Sequence, residues 1–108
     1  MTRAELEPHT LVLLRARADR PDMSDDELDR LQERHLAFIG SQYDRGVMLA
    51  SGPLTDQDDE DWRGICVYTV PPDEARRLAS EDPSVQAGRL EPVAFTWLAR
   101  PGSVTFGT

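Results

Sequence analysis

Gly64-Ile65-Cys66-Val67-Tyr68-Thr69-Val70-Pro71-Pro72-Asp73-Glu74 decides the fold of this chain. Its first seven residues are rich in β-branched and aromatic side chains, which fit a pleated surface. Ile65, Val67 and Thr69 would face one side of that strand, and Cys66, Tyr68 and Val70 the other. The next four residues open a helix. Proline is tolerated in a first turn, where its missing N–H would have no partner, and Asp73 and Glu74 suit the positive end of the helix dipole. Ala75, Leu78 and Ala79 give this helix an apolar side. It should stop near Asp82, because the residue before Pro83 is pushed out of helical geometry.

Outward from this strand–helix unit the pattern repeats. Downstream, past Gly88, Pro92-Val93-Ala94-Phe95-Thr96-Trp97-Leu98 reads as a last strand. Upstream, the charged loop Thr55 to Asp61 separates it from a strand at Val47-Met48-Leu49-Ala50, closed by Ser51-Gly52-Pro53. Before that strand lies a helix over about residues 25 to 45. Ser24 and Glu27 have the spacing of a capping box, and Arg45-Gly46 pairs a cation with a helix stop. Thr10-Leu11-Val12-Leu13-Leu14 is the first strand. The order β-α-β-β-α-β defines an α+β, ferredoxin-like domain over residues 1–100, with a four-stranded antiparallel sheet. Residues 101–108, with Pro101 and two glycines, form a tail expected to be mobile.

Two helices cover only one face of a four-stranded sheet. Here both faces are apolar, since Val93, Phe95 and Trp97 also alternate with Ala94, Thr96 and Leu98. No segment remains to cover the second face, so a second copy packed sheet to sheet is expected, making the protein a homodimer.

Composition removes several classes of function. The chain has 108 residues, a formal net charge of -8, and 12 basic residues, every one of them Arg. Such an acidic balance is wrong for nucleic acid, whose phosphates need clustered cations. Without Lys there is no side-chain Schiff base, no anchor for pyridoxal phosphate and no P-loop lysine. No apolar run approaches the roughly 18 residues of a membrane span. The start, MTRAELEPHT, lacks a signal-peptide pattern, so a cytoplasmic location is expected. Cys66 is the only cysteine and, between Ile65 and Val67, reads as a buried, inert thiol. No metal-ligand spacing is present: the run Asp56, Asp58, Glu60 lacks the glycine and the closing glutamate of a calcium loop.

His35 is the informative polar residue. At 100° per residue, Leu28, Leu31, His35, Phe38 and Ile39 share one side of the first helix, so the imidazole faces the core. Left unpaired there it would cost about 1–3 kcal/mol, and it therefore needs a partner, a cavity or both. Periodicity alone leaves a satisfied core histidine and a site residue both open. His9, beside Pro8 at the mouth of the first strand, reads as a surface residue. Ser51-Gly52-Pro53 could edge a pocket or form an ordinary turn.

Arg34-His35-Leu36-Ala37-Phe38-Ile39, Gly46, Ser51-Gly52-Pro53-Leu54 and Asp82-Pro83-Ser84-Val85-Gln86-Ala87-Gly88 together resemble the YCII-related family, over about residues 10 to 98. The resemblance implies a ferredoxin-like fold that dimerises into an α/β barrel. It also implies a histidine–aspartate pair as the catalytic residues, which falls on His35 and Asp82; Ser51, at a strand end, with Gly52 and Pro53, is the candidate edge for a small-molecule ligand. The chemistry implied is a cofactor-free elimination, dehydrochlorination among them, or an isomerisation. The alternative is a dimer that binds a small ligand without turning it over. Phe95-Thr96-Trp97 departs from the family's Pro-Trp ending.

Overall fold

The computed structural model describes residues 1–107; Thr108 lies outside the described residues. After a single 3-10 turn at Arg3–Glu5, the elements are β1 (Glu7–Ala16), α1 (Asp25–Asp44), β2 (Met48–Pro53), β3 (Trp62–Tyr68), α2 (Pro72–Ala79), α3 (Pro83–Gln86) and β4 (Leu90–Ala99). The four strands form one sheet in the order β2-β3-β1-β4, and every neighbouring pair is antiparallel. This is the α+β, ferredoxin-like arrangement expected from the order of elements.

The elements begin and end where local chemistry directs. The Ser24 hydroxyl accepts from the Glu27 N–H, and the Glu27 carboxylate accepts from the Ser24 N–H, closing the capping box of α1. At the other end, Gly46 has φ 74°, and the N–H groups of Gly46 and Val47 donate back to the carbonyls of Tyr43 and Gln42. A side chain at that position would be strained, which is why a glycine stops the helix there.

Four expectations need correction. β1 begins at Glu7, because it pairs with β4 along its whole length, from Glu7↔Ala99 to Ala16↔Leu90. His9 therefore lies within a strand, half-buried, with Trp97 and Phe106 at ring-centroid distances of 5.5 and 5.6 Å. The tail touches the domain at two points: Phe106 lies against His9, and Gly102 N–H donates to Glu7 Oε1 at 3.2 Å. Ser51-Gly52-Pro53 is not a turn but the end of β2, paired with Cys66, Ile65 and Gly64 of β3. Proline is tolerated there because β2 is an edge strand. Finally, α2 ends at Ala79, and Asp82 opens α3 instead of closing α2.

All three helices lie on one face of the sheet. Val12 and Leu14 of β1 and Cys66 and Tyr68 of β3 are buried there in one cluster with Ala75 and Leu78 of α2. On the other face, Leu11, Leu13, Ile65 and Val93 are only half-buried, and Phe95 and Trp97 are exposed. No described helix is long and apolar enough to cross a membrane.

Candidate active site

Asp82 is the fixed point around which the site is built. It is 1% exposed, and its two carboxylate oxygens have separate tasks. As N-cap of α3, Oδ1 accepts from the Ser84 N–H at 2.9 Å, and Pro83 at the first helical position holds the backbone for it. Oδ2 lies 2.7 Å from His35 Nδ1. A short helix of four residues thus aims one carboxylate oxygen at α1. Gly88, with φ 76°, closes α3 so that Arg89 N–H returns to the Ser84 carbonyl.

His35 meets this carboxylate from the middle of α1, between Leu31 and Gln42, the two buried residues of that helix. An ionised carboxylate can only accept, so Nδ1 carries a proton, and in the neutral ring it is Nε2 that holds the lone pair. Among the described residues Nε2 has no hydrogen-bond partner. The side chain is 17% exposed and lines a cavity of about 210 Å³ between α1 and the sheet. The second ring nitrogen therefore faces an opening, while the first is held by Asp82 from behind.

The cavity walls are largely apolar. Leu14, Leu90 and Ile39 line it, and the exposed Leu36 and Arg63 stand at its rim. Ser51, Gly52 and Pro53 all line it as well. The Ser51 hydroxyl is 2.9 Å from the hydroxyl of Tyr43, eight residues back on α1. Gly64 forms the floor; a β-carbon there would come within 3.4 Å of the Gly52 carbonyl. Cys66 also lines the cavity, but burial first and the nearby Asp82 charge second push its thiol up to about 12. At neutral pH it is a protonated wall, not a nucleophile. The buried Tyr68 hydroxyl is pushed upward too, by burial, Cys66, Asp82 and Glu81 in that order. Among the described residues no group of three or more His, Cys, Asp and Glu side chains is placed to hold a metal ion.

Of the residues singled out in sequence, His35, Asp82, Ser51, Gly52 and Pro53 are gathered around this one cavity, with Asp82 behind the imidazole. His9 is elsewhere, on the open face of the sheet. Sequence reasoning missed Gln32, one turn before His35, and Arg63, at the start of β3. Gln32 could have been found by extending the helical stripe through i−3. Arg63 carried no signal, since nothing in the run Asp61-Trp62-Arg63 says which way it points.

The YCII-related domain family matches residues 11–96. Comparison with curated proteins gives no match. Among solved structures, the chain is similar to the 5-chloro-2-hydroxyhydroquinone dehydrochlorinase TftG of Burkholderia phenoliruptrix AC1100, in complex with 2,5-dihydroxybenzoquinone. The TM-score is 0.57 at 20% identity, over 82% of this chain and 92% of that one, which is a likeness of fold. The family match begins within the first strand and ends within the last, taking in every element around the cavity: the chain belongs to the YCII-related family.

Proposed function

We propose that this protein is a cofactor-free enzyme acting on a small ring compound, by elimination or isomerisation, with His35 as acid and base and Asp82 as its positioning partner. One observation carries the reading. A histidine bonded at Nδ1 to a buried carboxylate, 2.7 Å away, has its second nitrogen free beside an apolar cavity. That is the arrangement a proton shuttle needs: fixed tautomer, supported positive charge, and an empty position for the reacting group. An apolar cavity of about 150 Å³ takes up benzene, so 210 Å³ suits one substituted six-membered ring. The similar dehydrochlorinase, whose printed substrate is a chlorinated hydroquinone, points the same way.

In an elimination, neutral Nε2 takes a proton from a ring carbon next to a saturated carbon bearing chlorine, or from the hydroxyl of an enol conjugated to that carbon. The released electron pair forms a new π bond as the C–Cl bond breaks, and chloride leaves with its bonding pair. The imidazolium, held beside the Asp82 carboxylate, then returns the proton to water. Hydrogen chloride is lost overall and nothing is oxidised. In an isomerisation the same nitrogen gives the proton back at another carbon. The working form would be a homodimer joined through the open face of the sheet.

The test is His35→Gln, read by chloride release and by ligand-induced thermal shift with haloaromatics, lactones and cyclic carboxylates. Glutamine can still donate to Asp82, so the variant should fold at a cost of at most about 1 kcal/mol. Turnover should fall by about 10²–10⁴. A loss of about 2–3 kcal/mol, with no ligand shift in the natural protein, would make the pair structural. Ligand shifts without turnover of any compound would leave a binding protein instead.

A further inference from the structure

Beside the His35 cavity lies a second one, of about 390 Å³, and its walls differ in kind. Arg20, Arg63 and Arg89 all line it, with Asp29 as the one carboxylate. Three arginines bordering one cleft stand out in a chain with 20 acidic residues and a net charge of -8. Four arginines have carboxylate partners: Arg15 pairs with Asp59 and Asp61, Arg17 with Asp19, Arg76 with Asp73 and Arg77 with Glu74. Arg20, Arg63 and Arg89 have no carboxylate partner among the described residues.

Two of the three are held in place. Arg20 Nη1 donates to the Arg17 carbonyl at 2.8 Å, and Arg89 Nη1 donates to the Pro21 carbonyl. The segment between is itself tied down, since Arg17 N–H donates to the Arg89 carbonyl at 2.9 Å and the Arg17 guanidinium grips Asp19 through two nitrogens. Each guanidinium keeps further N–H donors for another acceptor. Such anchoring lowers the side-chain entropy lost when an anion binds.

The two cavities adjoin. Gln32, Arg63, Ser84 and Leu90 line both, and Ser84 is the residue whose N–H caps Asp82. We propose that the arginine-lined cleft is an anion subsite of the same ligand site, taking a carboxylate while the apolar part of the ligand lies against His35. The substrate class becomes a ring compound bearing a carboxylate. A planar guanidinium fork matches a carboxylate geometrically. Asp29 at the cleft wall, and the acidic chain as a whole, favour a monoanion over a doubly charged phosphate. This rests on the reading of His35 as a site residue, and its test separates the two.

The experiment is an NMR titration that follows the guanidinium Nε–H signals of Arg20, Arg63 and Arg89 together with the His35 ring. The probes are 4-chlorobenzoate, 4-chlorobenzyl alcohol and phenyl phosphate, added to the natural protein and to Arg20→Gln, Arg63→Gln and His35→Gln. Chlorobenzoate is expected to move the arginine and His35 signals along one binding curve, about tenfold tighter than the alcohol. Arg20→Gln and Arg63→Gln should each erase that preference, while His35→Gln keeps it. If the arginine signals move and those of His35 do not, the cleft binds anions apart from the His35 cavity and the shared-site proposal is overturned. If His35 responds equally to both neutral and charged probes with the arginines unmoved, the subsite is overturned and the His35 cavity stands. Tighter binding of phenyl phosphate than of chlorobenzoate would overturn the carboxylate assignment.

Discussion

The same four strands present two faces, and the two are finished to different degrees. On the helix-covered face Val12 is 0% exposed and Tyr68 3%; on the other, Phe95 is 42% exposed and Trp97 40%. Residue types do not explain this, because apolar side chains alternate with apolar side chains along β3 and β4. What differs is what lies above them. The polar groups follow the same division. Asp82, on the covered side, has both oxygens bonded, whereas Nε2 of His9, on the open side, is buried without a partner among the described residues. The covered face encloses a cavity of about 210 Å³, and the open one leaves two aromatic side chains exposed.

The largest effect that would break this contrast is expected at Asp82. Asp82→Ala removes the cap of α3, worth about 1 kcal/mol, and leaves the His35 ring facing an empty acceptor position, worth about 1–3 kcal/mol more. A loss of about 3 kcal/mol in urea unfolding is expected. Asp82→Asn keeps the cap and should lose less than half as much. If the two variants unfold alike, the cap contributes nothing and the carboxylate is held by something other than its two observed bonds.

The open face is next. If a second copy covers it, the natural protein should sediment at micromolar concentration with twice the 12.1 kDa mass of one chain. Phe95→Glu with Trp97→Glu should halve that mass while leaving the fold in place. Buried interface aromatics are commonly worth about 2 kcal/mol or more when truncated. A natural protein that sediments as one chain would show that the open face is simply exposed.

How much of this contrast was legible in the sequence depends on the range of the forces involved. Local signals worked: the Ser24–Glu27 box and the Gly46 stop placed α1, and its period turned His35 inward. The α3 helix was written in the same signals, with Asp82 as cap, Pro83 next and Gly88 as stop, yet four residues between caps are too few to show a period. Strand limits were missed where pairing set them. β1 reaches back to Glu7 only because Ala99 is there to pair with it, and Ser51-Gly52-Pro53 extends β2 only because Gly64 to Cys66 is opposite. The approach of His35 to Asp82, 47 residues apart, came from the family resemblance, because spacing alone cannot supply such a contact. The direction of Arg63 was not legible at all.

Cys66 offers a sharper test of the covered face through pH. Its thiol is raised from 9.0 to about 12 by burial and by the Asp82 charge. Below pH 9 both folded and unfolded chains hold the proton, so the shift has no effect there. Above 9 the unfolded chain gives it up while the folded chain retains it, so stability falls as pH rises from 9 toward 12. The slope approaches about 1.4 kcal/mol per pH unit. Tyr68 is raised in the same direction, so Cys66→Ala is needed to isolate the thiol; it should make the alkaline decline shallower. Thiol-reagent labelling near pH 8 should likewise be slow in the folded chain and fast in urea. An unchanged decline in the variant would mean that Cys66 is less buried than its 3% exposure implies.

The smallest effect concerns the one exception on the covered side. Gln42 is 1% exposed, two turns beyond His35 on α1, and its Oε1 has no hydrogen-bond partner among the described residues. A buried acceptor left unmade carries a desolvation cost, and replacing it by an apolar group of similar shape removes that cost. Met is the suitable replacement: it is unbranched, of similar length, and close to Gln in helix propensity. The backbone would be undisturbed, because the Gln42 carbonyl keeps its bond from the Val47 N–H at the helix stop. Gln42→Met is therefore expected to raise stability by about 1 kcal/mol in urea unfolding, with no change in ligand binding at His35. This opposes the loss expected at Asp82, though both residues are polar and equally buried. The sign of the change decides whether burial or partnership governs them. If Gln42→Met destabilises the protein, the amide is doing something its lone acceptor does not reveal, and burial would no longer separate a supported polar residue from an unsupported one.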